Sequence, residues 1–595
     1  MSFQSLQLLP LLLLLLPRLF QLTVAETSSD EGTSVHHPPP NIVVLFADNL
    51  GYDDIGVYQQ RQRWKTPGGS SGRHPRSPTP NIDRLGHEGK VFYNWNSAAA
   101  LCSASRAALL TGKYPVRTGV YPRVFKPGAV HGLMPNETTL GNLLQKEGYA
   151  TAVVGKWHLG HRHPYLPTTH HGFDEWIGIP YHMSGGSVEG HVCHSDANET
   201  MWLPLYRNDR IVQQPVHLQT IATTYVDNSV RFIDTSIRNR QPFFLYLAFS
   251  HVHQLCAPRD FPEQLTCQWS SERNATFATA VEEMDWIAGK VLDSLDADEA
   301  VKNNTLVIFT SDNGPWVAEQ ACAGSKGPFQ GEWLKRHAHE ACTACPHDYI
   351  PSPTPERPRR CVLPGVKELN LDGVHCGEDT GLGGVWEANM RMPAIARFPG
   401  RIEAGSETDA LVSTLDVLPT VMSTIRGFIP DDLDGKDISK FLYQEHENDT
   451  AKDDYNNRML FYWRDGFQDG PLPPPFGRFD VAAVRYGNLK AWFWTKSAHY
   501  NQDIEQYHDP PLLFDVMSDP AESTPLDPSK QQEAIQTILE ATRRHKETVD
   551  WMQPLALATD PKYIPCVDPH AGCRTDGATM ALEASSAVNA EISYR

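Results

Sequence analysis

The chain has 595 residues, 40% of them hydrophobic and 21% charged, with 52 Lys+Arg against 71 Asp+Glu and a formal net charge of −19. This is a globular composition with ample material for a core. Its acidic balance excludes a nucleic-acid binder, because neutralising phosphates needs a basic face and no long Lys/Arg block occurs. The eleven cysteines are an odd number, so complete pairing leaves one over.

The chain opens on a leucine run from Leu8 to Leu16, interrupted by Pro10 and followed by Pro17, Arg18 and the small-residue stretch Thr23-Val24-Ala25. The run is shorter than the ~20 residues of a membrane-spanning helix and reads as a signal peptide over residues 1–25. Sequons at Asn136, Asn198, Asn274, Asn303 and Asn448 agree with secretory passage. The mature protein is then expected to be soluble in an oxidising lumen, where disulfides persist.

Residues 26–40 lack periodicity and lead into a catalytic domain expected over 26–450. From Asn41 short apolar runs alternate with helical patterns, as in an α/β sheet. Four runs deliver polar side chains at their ends: Ile42–Ala47 before Asp48-Asn49, Ala150–Gly155 before Lys156-Trp157-His158, Phe243–Ser250 before His251-Val252-His253, and Leu306–Ser311 before Asp312-Asn313. Singly, such residues are more often caps or loop residues. Because open α/β sheets bind ligands beyond the carboxyl ends of their strands, the four together point to one site.

Residues 66–80 read as a loop, and 314–384 as a long irregular stretch holding an insertion at about 331–380. Loops of that length are usually functional or tied down. Within the insertion His337, His339, Cys342, Cys345 and His347 have the spacing of a zinc site, but an oxidising compartment favours disulfides, with Cys361 and Cys376 nearby. Beyond Arg426 the strand patterns Val481–Val484, Lys490–Thr495 and Leu512–Val516 predict an antiparallel C-terminal subdomain over 451–595, with a helix from about Ser529 to Trp551.

The segment Leu101-Cys102-Ser103-Ala104-Ser105-Arg106 places a cysteine at the start of a helix, where free N–H groups and the dipole favour negative charge, with Arg106 one turn onward. The plainer reading is a buried core cysteine before a small-residue helix.

Cys-Ser-Ala-Ser-Arg at 102–106, followed by Leu110-Thr111-Gly112-Lys113-Tyr114-Pro115-Val116-Arg117-Thr118-Gly119, resembles the type I sulfatase signature, with Ala104 in place of the commoner Pro. In the same order as in that family come Pro40–Asp48 with Leu50-Gly51-Tyr52, Gly155–Gly160, Gly172-Phe173-Asp174, Gly178–Tyr181, Pro242–Leu245, Thr310–Gly314, Ala483–Gly487 and Pro510–Asp515. The resemblance implies an alkaline-phosphatase-like large mixed sheet flanked by helices, with a smaller C-terminal antiparallel sheet. It also implies that Cys102 is oxidised to Cα-formylglycine by a formylglycine-generating enzyme. One hydroxyl of the hydrated aldehyde attacks sulfur and the other expels sulfate, splitting one hard step into two.

By the same resemblance Arg106 holds the diol, and Asp48, Asn49, Asp312 and Asn313, with the formylglycine of Cys102, hold Ca²⁺ or Mg²⁺, an oxygen set suited to a hard cation. Lys156 binds sulfate, His158 lies near the diol, and His253 touches the substrate and protonates the leaving group. His251, two residues before, would share its face in an extended strand. The implied substrate is a sulfated aryl compound, glycan or glycolipid, the implied location lysosomal or extracellular, and a homo-oligomer is compatible with the resemblance.

Two positions depart from the family pattern. Asn49 stands where a second Asp is usual, which removes one negative charge. Leu382 stands five residues before Glu387 of Trp386-Glu387-Ala388-Asn389-Met390-Arg391, where a second sulfate-binding lysine is usual. An aliphatic side chain does not replace an ammonium, so either Lys326 or Lys335 compensates or the enzyme is slow or inactive. Three readings follow: a sulfatase, a non-catalytic secreted relative, and a phosphodiester hydrolase of the same scaffold.

Overall fold

The computed structural model describes residues 38–59, 78–189, 201–255, 276–317, 322–337, 350–351, 361–362, 380–443, 457–463, 480–496, 506–570 and 572–573. Residues 39–595 form one compact unit. Its centre is an eleven-stranded sheet made of β1 (Asn41–Ala47), β2 (Lys90–Asn96), β3 (Ala150–Gly155), β4 (Glu175–Gly178), β5 (Leu205–Arg207), β6 (Arg210–Gln213), β7 (Phe243–Ala248), β8 (Thr305–Ser311), β9 (Arg391–Arg397), β10 (Ser406–Thr408) and β11 (Val412–Ser413). The order is β10-β2-β9-β8-β1-β7-β3-β4-β5-β6, with β11 also on β2. Strands β8, β1, β7, β3 and β4 are mutually parallel, while β9 runs antiparallel to both β8 and β2.

Every residue of β1 is buried because helices cover both faces, the condition under which parallel strands read as continuous apolar runs. Alternation still sorts its side chains. Val43 and Leu45 join the core with Ile221, Phe232, Val281 and Met284 of helices α2 (Leu218–Arg238) and α3 (Phe277–Asp296), while Ile42, Val44 and Phe46 join Leu109, Leu110, Leu143 and Val421 on the other side. The result is a sheet between two helical layers.

The second sheet has four antiparallel strands in sequence order, β12 (Met459–Trp463), β13 (Val481–Tyr486), β14 (Leu489–Thr495) and β15 (Gln506–Asp515), and helix α4 (Gln532–Thr548) packs Ile535 and Ile538 onto it. The expected strands and terminal helix are there, the helix three residues shorter at each end than predicted. Strand β15 is longer, because its prolines, Pro510 and Pro511, lie on an edge strand, where a missing N–H does no harm.

The two sheets are joined through a buried charge cluster. Glu387 receives Arg391 (2.7 Å), Arg485 (2.8 Å) and Lys490 (3.1 Å), and Lys490 also reaches Glu522 at 3.1 Å. These cations hold the Glu387 carboxyl well below its usual range despite burial. The segment after α4 returns to the catalytic face: Met552 N–H donates to Val116 O, Leu555 N–H to Gly119 O, and Asp560 N–H to Gly128 O.

Candidate active site

Because β8, β1, β7 and β3 are consecutive neighbours, their carboxyl ends present Asp312-Asn313, Asp48-Asn49, His253 and Lys156-His158 side by side. The sheet therefore brings together all four segments singled out from the sequence. Gly155, at φ 105°, allows a close approach of β3 to β7, since a Cβ there would sit 1.8 Å from Ala248 O. Across the gap the buried helix Cys102–Thr111 starts at Cys102 and ends on Gly112 in the left-handed conformation (φ 67°) that closes helices.

Cys102 Sγ lies 3.6 Å from Asp48 Oδ1 and 3.8 Å from Asn49 Oδ1. Arg106, one turn on, donates from Nη2 to Asp312 Oδ2 at 2.8 Å and from Nη1 to Lys156 O at 3.2 Å. Lys156 Nζ bonds both oxygens of Asp48, at 2.8 and 2.7 Å. Asn49 N–H donates to Asp312 Oδ1 (3.1 Å), and Asn313 Nδ2 donates to Asn49 Oδ1 (2.7 Å). Asp48, Arg106, Lys156, Asp312 and Asn313 are all fully buried. Lys156 and Arg106 thus lie on carboxylates, where the family resemblance puts them on sulfate and diol.

The donor set fits a divalent cation. Ligand atoms of Asp48, Cys102 and Asp312 all lie within 4.8 Å of one another, and Asn313 Oδ1 is a buried acceptor without a hydrogen-bond partner among the described residues. An orphan oxygen beside two buried carboxylates suits a hard ion. Burial, with the Asp48 charge beside it, pushes the Asp312 carboxyl upward, a cost that positive charge relieves.

The expectation that the helix start favours charge on Cys102 is corrected. Burial first, then the carboxylates of Asp312 and Asp48, push the thiol well above its ordinary value, outweighing Lys156 and Arg106. The cysteine is free and buried, as the plainer reading also had it.

Two histidines have definable tautomers. His158 Nε2 lies 3.2 Å from Phe125 O, and His253 Nδ1 lies 2.9 Å from Gln254 O. A carbonyl only accepts, so these nitrogens carry the protons, leaving His158 Nδ1 and His253 Nε2 as the acceptor nitrogens. Burial and the Lys156 charge hold His253 down at about 3. His251 does not share its face: the chain leaves the strand at Ala248 and turns, so the His251 ring meets Glu283 (3.6 Å) while its carbonyl accepts from Asp48 N–H (2.8 Å).

Sequence reasoning missed His182. Its ring stacks on His253 at 4.9 Å and 15°, meets His158 edge-on at 5.3 Å, and is fixed through Nδ1 to Ser184 Oγ at 2.8 Å. The signal available was its place directly after the Gly178–Tyr181 motif.

Leu382 packs with Leu101, Trp316 and Val124, and Trp316 lies 6.0 Å from the His253 ring. Leu382 therefore forms an apolar wall beside the start of the Cys102 helix. Lys326 bonds Thr380 Oγ1 (3.2 Å), two residues before Leu382, and Lys335 pairs with Glu332 (2.9 Å) on its own helix. His337 stacks on Trp333 at 4.2 Å; His339, Cys342, Cys345, His347 and Cys376 lie outside the described residues, as does the side chain of Cys361. Cys566 pairs with Cys573, and Cys322 is disulfide-bonded. Asn136 and Asn303 are exposed, while Asn198, Asn274 and Asn448 lie outside the described residues. Among the described residues no helix is long and apolar enough to cross a membrane.

A mixed sheet between helices, with buried cations and carboxylates gathered round one cysteine at the strand ends, defines an α/β enzyme with a site for an anionic ester. The chain belongs to the sulfatase family: the model of the Sulfatase domain matches residues 40–427, and that of the C-terminal region of aryl-sulfatase matches 456–575. It is a type I sulfatase, a sulfuric ester hydrolase. It is 31% identical to arylsulfatase G of Mus musculus over 90% of this chain and 92% of that one, and 32% identical to arylsulfatase A of Homo sapiens over 82% and 83%. N-acetylgalactosamine-6-sulfatase of Rattus norvegicus is 31% identical over 87% of each. The crystal structure of the PsFucS1 sulfatase from Pseudoalteromonas sp. shares the fold, with a TM-score of 0.62, 24% identity and coverage of 88% of this chain and 92% of that chain.

Proposed function

We propose that the enzyme cleaves sulfate from aryl, carbohydrate or glycolipid esters through a formylglycine made from Cys102, with Ca²⁺ or Mg²⁺ held by Asp48, Asn49, Asp312 and Asn313. The observation carrying this reading is the gathering of Asp48, Cys102 and Asp312 ligand atoms within 4.8 Å beside the orphan Asn313 Oδ1. The formylglycine supplies a geminal-diol nucleophile. The cation supplies polarisation of a sulfate oxygen.

The chain's own groups do the rest. Lys156 and Arg106 are buried cations whose present partners are carboxylates; with Asp48 and Asp312 engaged as cation ligands, Lys156 would turn its donors to the sulfate and Arg106 to the diol. His253 offers Nε2 to the ester oxygen. Burial first, and then the Lys156 charge, depress His253; an arriving anion would offset the second of these and raise its basicity toward holding a proton for the leaving group. His158 keeps Nδ1 as an acceptor toward the diol, its ring fixed by Phe125 O. Trp316, Leu382 and Leu101 keep one side of the site apolar.

Residues 1–25 act as a signal peptide, 26–450 as the catalytic domain and 451–595 as the C-terminal subdomain. The five sequons and the disulfides suit the secretory pathway, with lysosomal or extracellular residence and a formylglycine-generating enzyme as maturation partner. The test is mass spectrometry of the peptide containing Cys102 from cells with the modifying enzyme, beside turnover of an aryl sulfate. Loss of mass corresponding to aldehyde, with turnover abolished in Cys102→Ala, is expected. An intact thiol with no turnover would instead favour the non-catalytic reading.

A further inference from the structure

Asn389 is fully buried in the short helix Glu387–Met390 and takes no part in the chemistry above. The Trp386–Arg391 segment resembles the family pattern Trp/Tyr-Glu-Gly-Gly-x-Arg, in which this position is the second glycine. Here it carries a carboxamide with every polar atom engaged. Nδ2 donates to Ala100 O at 3.0 Å and to Gly384 O at 2.7 Å, and Oδ1 accepts from Gly314 N–H at 3.0 Å. The partners fix the orientation of the amide, since two are carbonyls that only accept and the third is an N–H that only donates.

Each partner lies next to a different part of the site. Ala100 is two residues before Cys102, Gly314 directly follows Asn313, and Gly384 is two residues after Leu382. The last belongs to the turn Gly381-Leu382-Gly383-Gly384, whose glycines leave it intrinsically loose. It is tied by Leu382 N–H to Pro315 O (2.9 Å), by Gly383 N–H to Ala100 O (3.1 Å) and by the Asn389 amide. Gly314 approaches so closely that a Cβ there would lie 2.2 Å from Ala388 O.

We propose that Asn389 is a positioning residue that sets the nucleophile helix, the Asn313 cation ligand and the Leu382 wall relative to one another, in place of the glycine of the family pattern. This rests on the roles of Cys102 and Asn313 given above. Its geometric content is that one side chain hydrogen-bonds three backbone segments around the site and adds to the backbone bonds Gly383 N–H to Ala100 O and Leu382 N–H to Pro315 O, and a site of this kind loses rate steeply when its groups shift by about 1 Å.

The experiment uses the full-length enzyme matured in cells with the modifying enzyme, as wild type, Asn389→Asp and Asn389→Gly. Asp has the same shape but turns a carboxylate oxygen toward two carbonyls; Gly removes the amide altogether and is the residue of the family pattern. Three readouts are taken: conversion of Cys102 by mass spectrometry, the rise in melting temperature on adding Ca²⁺, and kcat and KM for 4-nitrophenyl sulfate. Both variants are expected to need several-fold more Ca²⁺ for the same thermal shift, with kcat down about tenfold or more in Asn389→Asp and KM changed much less. A variant that folds, converts Cys102, and keeps the wild-type kcat and Ca²⁺ response overturns the proposal. So does a lower melting temperature with both of those unchanged, which makes Asn389 structural only. If the wild type itself fails to convert Cys102 or turn over, the functional reading fails, while the Ca²⁺ response still decides the role of Asn389.

Discussion

Lys156 Nζ bonds both carboxylate oxygens of Asp48, at 2.8 and 2.7 Å, with neither side chain reached by solvent. The ammonium thus occupies the carboxylate that the proposed cation would need. Removing one partner of a buried pair strands the other, at about 3–5 kcal/mol. Lys156→Met is therefore expected to melt lower than wild type without Ca²⁺ and to gain more from added Ca²⁺, while kcat/KM for an aryl sulfate falls about 100-fold or more. Melting curves with and without the cation, beside steady-state kinetics, check this; undiminished kcat/KM would take Lys156 out of sulfate binding.

Asn49 is the second test of the cation site. It sits at φ 60°, a region that Asn and Asp tolerate better than most residues, so Asn49→Asp keeps the backbone. The substitution adds the charge that the family pattern has here. The Asn313 Nδ2 bond to Asn49 Oδ1 survives, because a carboxylate oxygen accepts as well as an amide oxygen. Half-saturating Ca²⁺ after chelation is expected to fall about tenfold, equivalent to ~1.4 kcal/mol. Weaker binding in Asn49→Asp would mean that the amide N–H, not the oxygen, matters at this position.

What was legible in the sequence follows from burial. Strands β1, β3, β7 and β8 are covered on both faces, so their apolar runs stood out and pointed to the residues at their ends. Strands β2 and β9 are equally buried but carry Lys90, which donates to Phe441 O, and Arg391 and Arg397, which pair with Glu387 and Asp296, and composition alone does not mark them. His182 reaches the site from a loop, where no period exists to announce it. His251 shows the reverse error: two-residue spacing implies a shared face only while the chain stays extended, and the turn after Ala248 separates it from His253.

His182 is open to a direct test. Its ring stacks on His253, is held by Ser184 Oγ, and lies edge-on to His158. Replacing it by Ala removes the surface against which His253 rests, so kcat is expected to fall about tenfold or more with a smaller change in KM if His253 serves the leaving group as proposed. Phe at this position restores the stacking surface without the nitrogens and should recover part of that loss. Equal activity of His182→Ala and wild type would make the stack incidental.

Leu382 replaces an expected cation with an apolar contact against Leu101, Trp316 and Val124. A lysine there keeps its stem on that wall and carries its ammonium toward the more polar side. Leu382→Lys is expected to tighten competitive inhibition by inorganic sulfate about threefold or more, because an added charge acts strongly where water is excluded. An unchanged inhibition constant with a stable fold would mean that the wall does not border the sulfate.

The dependence of stability on pH has two opposing parts. Burial holds His161, His171 and His545 at about 4, below the ordinary 6.5, so the folded chain binds fewer protons than the unfolded one between those values. Their contribution is complete above about pH 6.5 and is lost as pH falls toward 4. Asp54 runs the other way. Burial raises it from 3.8 to about 7 although Gly51 and Ser325 N–H groups donate to it, so its contribution is complete below about pH 3.8 and is lost as pH rises through 7. Between pH 4 and 6.5 these three histidines therefore raise the melting temperature with pH, and Asp54 opposes them. Asp54→Asn removes the opposing part and should steepen that rise, whereas His545→Phe, which keeps the stack on Phe461 at 4.0 Å, should flatten it. Melting curves of the three proteins across pH 4 to 7 decide the matter; a slope unchanged in both variants would mean that neither group titrates differently in the folded and unfolded chains.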